Sequence, residues 1–513
     1  MLSVLADAEG ADDLRAMKRR GFIKGALSAS LAYRIFPSWA TAQKPIMRLG
    51  AVSDVHMRTP TPIFPYYRGS EDNHLYFGKA LKWFDRMQVD AVVVAGDIAD
   101  RGLISEWEQF ADTFNRVFPD RRGSDGRKVE RIVVTGNHDI GQWPSLWKKV
   151  SEENQRKFRF DHPCNLRGMW SRLMGEEWSL ISRKEVKGIT FVYSQYMSLR
   201  PPVEKYFRDH ADSLPQDKPF FYVQHAHPRG TCFGDSKRGL WDYDVDGQVG
   251  RSLAKFSRSI VLSGHTHNSI VDDRSVWQGE YTSINCGSTW GAGLVYYGRD
   301  NALADFFGKD YLAQRQKPIA PLENAGRCAL AIDVHIDHLV VHRWCVQTEE
   351  PLGEPWVVPL PACKCGPFDF AQASESRRRK RLTPEFSPES AVKVEECELP
   401  PKNAGPRLKG KRVLRATFPS AKPVCGVRVF DYRVRVLRDG AEVASSIVLS
   451  PGFFLPLRLA DIDGEAMFGA DELPHGVELK ISVVPRDCYG TEGKELVSAG
   501  FKISGKAGSG AAA

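Results

Sequence analysis

Short apolar, β-branched runs alternate with amphipathic segments from residue 46 to about 346, and the two periods predict strands and helices in turn. Residues 46–53, 91–95 and 131–135 read as strands. Ala91-Val-Val-Val-Ala95 is apolar without a break, as a strand covered on both sheet faces must be. Between these strands, 76–88 and 106–118 carry apolar residues at helical spacing, with Phe77, Leu81, Phe84 and Met87 along one stripe of the first. Residues 189–194, 220–224 and 260–263 are further strands, with helices expected near 203–211 and 247–257. Strands at 280–286, 328–334 and 339–346 close the unit. The interval 140–185 is less regular. Its tryptophans, Trp143, Trp147, Trp170 and Trp178, are expected in the core, with a lid or substrate wall as the alternative.

Beyond residue 350 the pattern changes. Prolines and charges crowd 350–410, which reads as a linker. From Lys411 short strands recur with turn signals and no helical period, at 427–437, 441–449, 477–484 and 496–503, which predicts a small β-sandwich over 411–504. Tyr489-Gly-Thr-Glu-Gly493 in it resembles a loop of fibronectin type III modules. The Gly/Ala/Ser tail, 505–513, is expected to be disordered.

At 513 residues the chain exceeds one ordinary domain, and its apolar and charged fractions are those of a globular protein. The net charge of +8 comes from interspersed signs, which suits an acidic substrate or an anionic envelope surface and does not point to nucleic acid. The dense basic run, Arg377-Arg-Arg-Lys-Arg381, reads as solvated linker. At the N-terminus, Lys18-Arg-Arg-Gly-Phe-Ile-Lys24 precedes a modestly apolar stretch and Ala40-Thr-Ala42. That layout is a basic region, a short apolar region and a small-x-small cleavage site, and it resembles a twin-arginine export signal over 1–42, with Met17 an alternative start. It implies the twin-arginine export machinery as a partner and a periplasmic or extracellular destination. No later run approaches the ~20 apolar residues of a membrane helix. The ten cysteines all follow the cleavage point, and some could pair in an oxidising compartment. Cys363-Lys-Cys365 is read as structural or free.

Polar side chains collect just past the predicted strands. Asp54-Val-His56 follows the first, Gly96-Asp97-Ile-Ala-Asp100-Arg101-Gly102 the second, and Gly136-Asn137-His138-Asp139 the third. His225-Ala-His227 follows 220–224, and Gly264-His265-Thr-His267 follows 260–263. In α/β sheets ligands bind at the carboxyl ends of strands. Mixed carboxylate and imidazole donors suit divalent transition ions better than calcium or a thiolate zinc site.

In this order the motifs resemble those of the calcineurin-like metallophosphoesterases, over roughly 46–345. The resemblance implies an α/β fold, a four-layer α-β-β-α sandwich, for a catalytic domain spanning 43–349, followed by the small all-β sandwich. It also implies two divalent or trivalent transition-metal ions, Mn, Fe or Zn. Asp54, His56 and His267 would hold one, Asn137, His225 and His265 the other, and Asp97 would bridge them; His227 is the alternative to His225. Two cations sharing a water would supply hydroxide near neutral pH and neutralise phosphate oxygens. His138 would act as general acid, with Asp100 orienting it. The Gly96–Gly102 segment looks like the corresponding motif of serine/threonine protein phosphatases, where the arginine grips phosphate, which makes Arg101 a candidate clamp.

The expected substrate is a phosphate mono- or diester. Trp290, soon after the last donors, either borders the pocket or packs beneath it. Two rival readings stay open: an envelope-associated binding protein with an inactive first domain, and a nuclease or cyclic-nucleotide phosphodiesterase. Complete donors with His138 and Asp100 in place speak against the first. A nuclease calls for a basic groove with interleaved aromatics, and no clear nucleic-acid site is visible.

Overall fold

A computed structural model of the chain describes residues 44–60, 72–140, 153, 163–196, 202–233, 244, 246–291, 315–316, 326–364, 366–397, 408 and 410–504. The expected export signal, Trp143, Trp147 and the tail 505–513 lie outside them. In chain order the first half lays down β1 (Met47–Val52), α1 (Asn73–Arg86), β2 (Ala91–Ala95), α2 (Ile104–Val117), β3 (Glu130–Val134), the single turn α3 (Asn137–Ile140) and α4 (Pro163–Met174). There follow β4 (Ile181–Val186), β5 (Ile189–Ser194), α5 (Val203–Asp209), β6 (Phe220–Val223), α6 (Gln248–Leu253), β7 (Ser259–Ser263), β8 (Val276–Gln278) and β9 (Thr282–Asn285). Next come β10 (Arg315–Gln316), β11 (Cys328–Val334), β12 (His338–Cys345), β13 (Glu350–Pro351) and β14 (Trp356–Pro359).

These strands form two sheets. One runs β13-β12-β11-β1-β2-β3, with β14 also on β12; the other runs β4-β5-β6-β7-β9-β8. Both are parallel at their centres, where β1, β2 and β3 run together and β5, β6, β7 and β9 run together. Alternation along each strand decides which face it gives to which layer. Val93 and Ala95 of β2 join Phe221, Val223, Ile260 and Leu262 in the core between the sheets. Val92 and Val94 face outward against Phe77, Leu81 and Phe84 of α1 and Phe110 and Phe114 of α2. On the far side, Phe220, Tyr222 and Val261 pack on α5 and α6. Each such aliphatic side chain contributes roughly 1.5–3 kcal/mol on full burial. The architecture is the four-layer α-β-β-α sandwich. Trp170 is core, set against Trp107 with ring centroids 5.7 Å apart.

The C-terminal part is all-β. It comprises β15 (Lys393–Cys397), β16 (Val413–Phe418), β17 (Asp431–Arg438), β18 (Ala441–Leu449), β19 (Gly464–Gly469), β20 (Lys480–Arg486) and β21 (Leu496–Val497). Two sheets, β10-β18-β17-β20-β21 and β15-β16-β19, close on a core that includes Tyr432, Val434, Val436, Phe418, Phe468, Ile481 and Val483.

The stretch 350–410, expected as a linker, is packed structure where described. β13 and β14 pair with β12, α7 (Phe370–Lys380) buries Ala373, Ser374 and Arg377, and β15 pairs with β16. Pro351 and Pro359 lie in strands bordering β12, where a missing N–H is tolerated. The inward stripe of α7 is narrow, so its charges mask the helical period. Asp369 caps it, accepting from the Gln372 N–H at 2.9 Å. The basic run is accordingly not wholly solvated: Arg377 is 2% exposed.

Candidate metal centre

All seven predicted donors sit on turns just past strands: Asp54 and His56 after β1, Asp97 after β2, Asn137 after β3, His225 after β6, His265 and His267 after β7. Five occupy left-handed backbone, with φ of 50° at Asp54, 47° at His56, 50° at Asp97, 74° at His265 and 54° at His267. Non-glycine residues hold such conformations at a cost of order 1–3 kcal/mol, and only where the surroundings over-determine them. Here the turns tie one another down. The Asp54 N–H donates to Gly96 O at 3.0 Å, the His56 N–H to Asp97 O at 2.9 Å, the His265 N–H to Asp54 Oδ2 at 2.9 Å and the His138 N–H to Asp97 Oδ1 at 2.8 Å. Two glycines permit this approach: a Cβ at Gly136 would stand 2.5 Å from the Asp97 nitrogen, and one at Gly264 2.5 Å from Asp54 Oδ2.

The donors converge in two groups. In the first, His267 Nε2 is 3.0 Å from Asp54 Oδ1 and 3.2 Å from His56 Nε2, which is 3.7 Å from Asp97 Oδ2. In the second, His225 Nε2 lies 3.2 Å from Asp97 Oδ2, 3.1 Å from Asn137 Oδ1 and 3.0 Å from His265 Nδ1. Asp97 belongs to both. His227 joins neither: its Nδ1 is 2.8 Å from Ser263 Oγ and its Nε2 3.0 Å from Thr266 Oγ1.

Residues 47–269, which contain every one of these donors, match the calcineurin-like phosphoesterase family. This segment is thus similar to calcineurin-like phosphoesterase domains. No curated protein matches the chain. Among solved structures, a dimetal phosphatase from Danio rerio is similar over 62% of this chain and 99% of its own, at 11% identity and a TM-score of 0.32. A purple acid phosphatase from yellow lupin, Lupinus luteus, is similar over 62% of this chain and 54% of its own, at 12% identity and a TM-score of 0.38.

The donor chemistry of this segment fits cations. His56 Nδ1 faces the Asp100 carboxylate at 3.0 Å and His225 Nδ1 faces Ala95 O at 2.8 Å. Both partners only accept, so each Nδ1 carries hydrogen and each Nε2 turns its lone pair toward the other donors. Lone pairs and carboxylates at 3.0–3.2 Å repel unless a proton or a metal ion sits among them. The electrostatics agree. Burial opposes ionisation of Asp54 and Asp97, but His267 beside the first and His225 beside the second hold both well below the usual carboxylate range. Burial opposes a charge on His225, yet Asp97 lifts it to about 9, while burial and His225 push His265 down to about 3. One proton on His225 thus occupies the charge position a cation would fill.

His138 stands beside the donors with its side chain 24% exposed. Its Nδ1 donates to Asp100 O at 2.8 Å and lies 3.8 Å from Asp100 Oδ1. Burial works against its charge, but Asp97 and Asp100 outweigh it and raise its pKa above 6.5. Asp100 is further held by Arg58, Nε to Oδ2 at 2.9 Å. Arg101, expected to grip phosphate, is 3% exposed with Nε 3.7 Å from Asp100 Oδ2, so its side chain faces the protein's interior instead of open space. Trp290 is half-buried, its ring centroid 4.9 Å from His56 and 5.1 Å from His267.

Sequence reasoning assigned no role to two buried carboxyls here. Asp139 accepts the N–H groups of Ile98, Ala99 and Gly136 at 2.7–3.2 Å, joining the Asp97 turn to the Asn137 turn. Burial and Asp97 raise it to about 7. Glu106 reaches back from α2 to the N–H groups of Arg101 and Leu103 at 2.9 and 3.2 Å, and burial raises its pKa well above the usual range. The Asp at the end of Gly-Asn-His-Asp and the Glu three residues into a helix were the available signals.

Proposed function

We propose that this protein is a binuclear metal-dependent phosphoesterase that hydrolyses phosphate mono- or diesters. The observation that carries the reading is Asp97, one carboxylate shared by two donor groups whose remaining members are imidazoles, a carboxylate and an amide oxygen. Asp54, His56 and His267 would hold one ion, Asn137, His225 and His265 the other, with Asp97 between them. A bound pair of cations supplies Lewis acidity to phosphate oxygens and lowers the pKa of water. The chain's own contribution is the proton. His138, kept charged by Asp97 and Asp100, donates to the departing alkoxide, and Asp100 fixes its ring through Nδ1 so that Nε2 is the donor. Arg58 and Arg101 serve that function indirectly, by holding Asp100 in place.

The test is a metal-reconstituted panel of an aryl monoester, an aryl diester, cyclic nucleotides and nucleoside diphosphates. Hydrolysis should require added metal, and the ratio of monoester to diester turnover names the class. His138→Ala should lower turnover ~10²-fold or more with both ions retained. Unchanged turnover on an aryl phosphate would remove His138 from the acid role, and fewer than about one ion per chain after reconstitution would end the binuclear reading.

A further inference from the structure

The segment that follows the last donors, 268–276, is where the C-terminal sandwich holds the phosphoesterase domain. Asn268 to Asp272 and Arg274 to Val276 are buried. Arg377, from α7, pairs through Nη2 with Asp273 Oδ2 and through Nη1 with Asp487 Oδ2 at 2.9 Å, and its guanidinium lies 4.5 Å from the Tyr489 ring centre. The Trp356 Nε1–H donates to the other Asp273 oxygen at 3.1 Å. Next to it, Arg274 faces the Phe430 ring at 4.9 Å. The apolar core runs on without a break from the two catalytic sheets through Trp356 and Leu360 into Phe430, Phe453 and Leu455 of the sandwich. So the basic run and the Tyr489 loop, the two sequence motifs the active site leaves unused, meet on one side of Asp273.

This bears on the metal site because His265 and His267 stand in left-handed backbone and supply one donor to each group. Conformations of that kind persist only while the chain is fixed on both sides. On one side the turn is fixed by β7; on the other it leads within a few residues into the clamped 268–276 segment. Taking the two-metal reading as given, we propose that Arg377 is a positioning residue. By bridging Asp273 and Asp487 it makes the C-terminal sandwich a brace for the turn that carries His265 and His267. Without the guanidinium, the fully buried Asp487 loses its ion pair with α7 and the tie from Asp487 to Asp273 is cut, so the brace is lost.

The full-length protein carrying Arg377→Met is compared with wild type and with Val434→Ala, a cavity in the sandwich's own core that leaves 268–276 untouched. Manganese affinity is measured by calorimetry well below the melting temperature, and amide hydrogen exchange is followed over 264–276. The expected result is affinity about tenfold weaker and faster exchange at 264–276 in Arg377→Met, with neither change in Val434→Ala despite a lowered melting temperature. Arg377→Lys should recover little of either, since one ammonium cannot span both carboxylates as the planar fork does. If Arg377→Met does not fold, Asp273→Asn, which keeps a partner for Trp356, must show the same pattern. Wild-type exchange and affinity in Arg377→Met, or equal changes in Val434→Ala, would overturn the proposal. Should wild type take up neither manganese, zinc nor iron, the two-metal reading falls, and exchange at 264–276 still decides the brace.

Discussion

Replacing Asp100 by asparagine isolates the proton-handling half of the site. Asp100 Oδ1 faces His56 Nδ1 at 3.0 Å and His138 Nδ1 at 3.8 Å, and the main-chain carbonyl of the same residue accepts from His138 at 2.8 Å. Asparagine keeps the shape and that carbonyl while removing the charge. A unit charge at 3.8 Å favours the imidazolium by ~1 kcal/mol with water-like screening and by ~4 kcal/mol at an effective dielectric of about 20. Even the smaller figure corresponds to ~0.8 pH unit. As the proposed acid His138 would work protonated, and its pKa is raised in the fold, so kcat/KM should fall as pH rises through that pKa. Losing the Asp100 charge should therefore move the basic limb down by roughly one pH unit. Cations in the site depress the imidazole in both proteins alike, so the difference between the two profiles reports Asp100. The plateau should also fall ~10–100-fold, because His56 loses the carboxylate that sets its tautomer. The assay is kcat/KM against pH on an aryl phosphate at saturating metal. A basic limb within about 0.3 pH unit of wild type would refute the electrostatic link between Asp100 and His138.

Two further substitutions probe the donors and their support. His225→Ala should cost the protein one bound ion, whereas His227→Ala should keep both, because the His227 nitrogens are engaged by Ser263 and Thr266; elemental analysis giving equal metal content for the two variants would contradict this. Asp139→Ala should destabilise the fold by at least about 1–3 kcal/mol, since the N–H groups of Ile98, Ala99 and Gly136 lose their buried acceptor. Urea denaturation showing no loss would mean that other groups hold the two turns together.

What the sequence revealed and what it hid divide along physical lines. A continuous apolar strand such as Ala91–Ala95 is legible because both faces are buried, and turn residues after such strands are legible because polar side chains there have no packing role. Short or half-exposed strands escape. Ile181–Val186 is half-buried or exposed at every position before Val186 and reads as loop, and Gly464–Gly469 is framed by glycines. Arg377 was hidden by its neighbours: in a run of five basic residues only the one in register with Ala373 and Ser374 turns inward. Arg101 illustrates the opposite limit. Its motif suggests contact with substrate, but whether a guanidinium reaches outward depends on the carboxyl groups that Asp100 and Glu106 place around it, which no local pattern encodes.

Asp97 has a consequence for how the protein would behave when starved of metal. Its Oδ2 faces the imidazoles of both donor groups, while its Oδ1 receives the main-chain N–H of His138. The same small anion is thus hinge and fastener at once, and a shift in its rotamer on loss of either ion would carry the backbone of His138 with it. Depletion would then abolish turnover abruptly, and titrating metal back should trace a steep, two-ion curve with no plateau of half-speed catalyst.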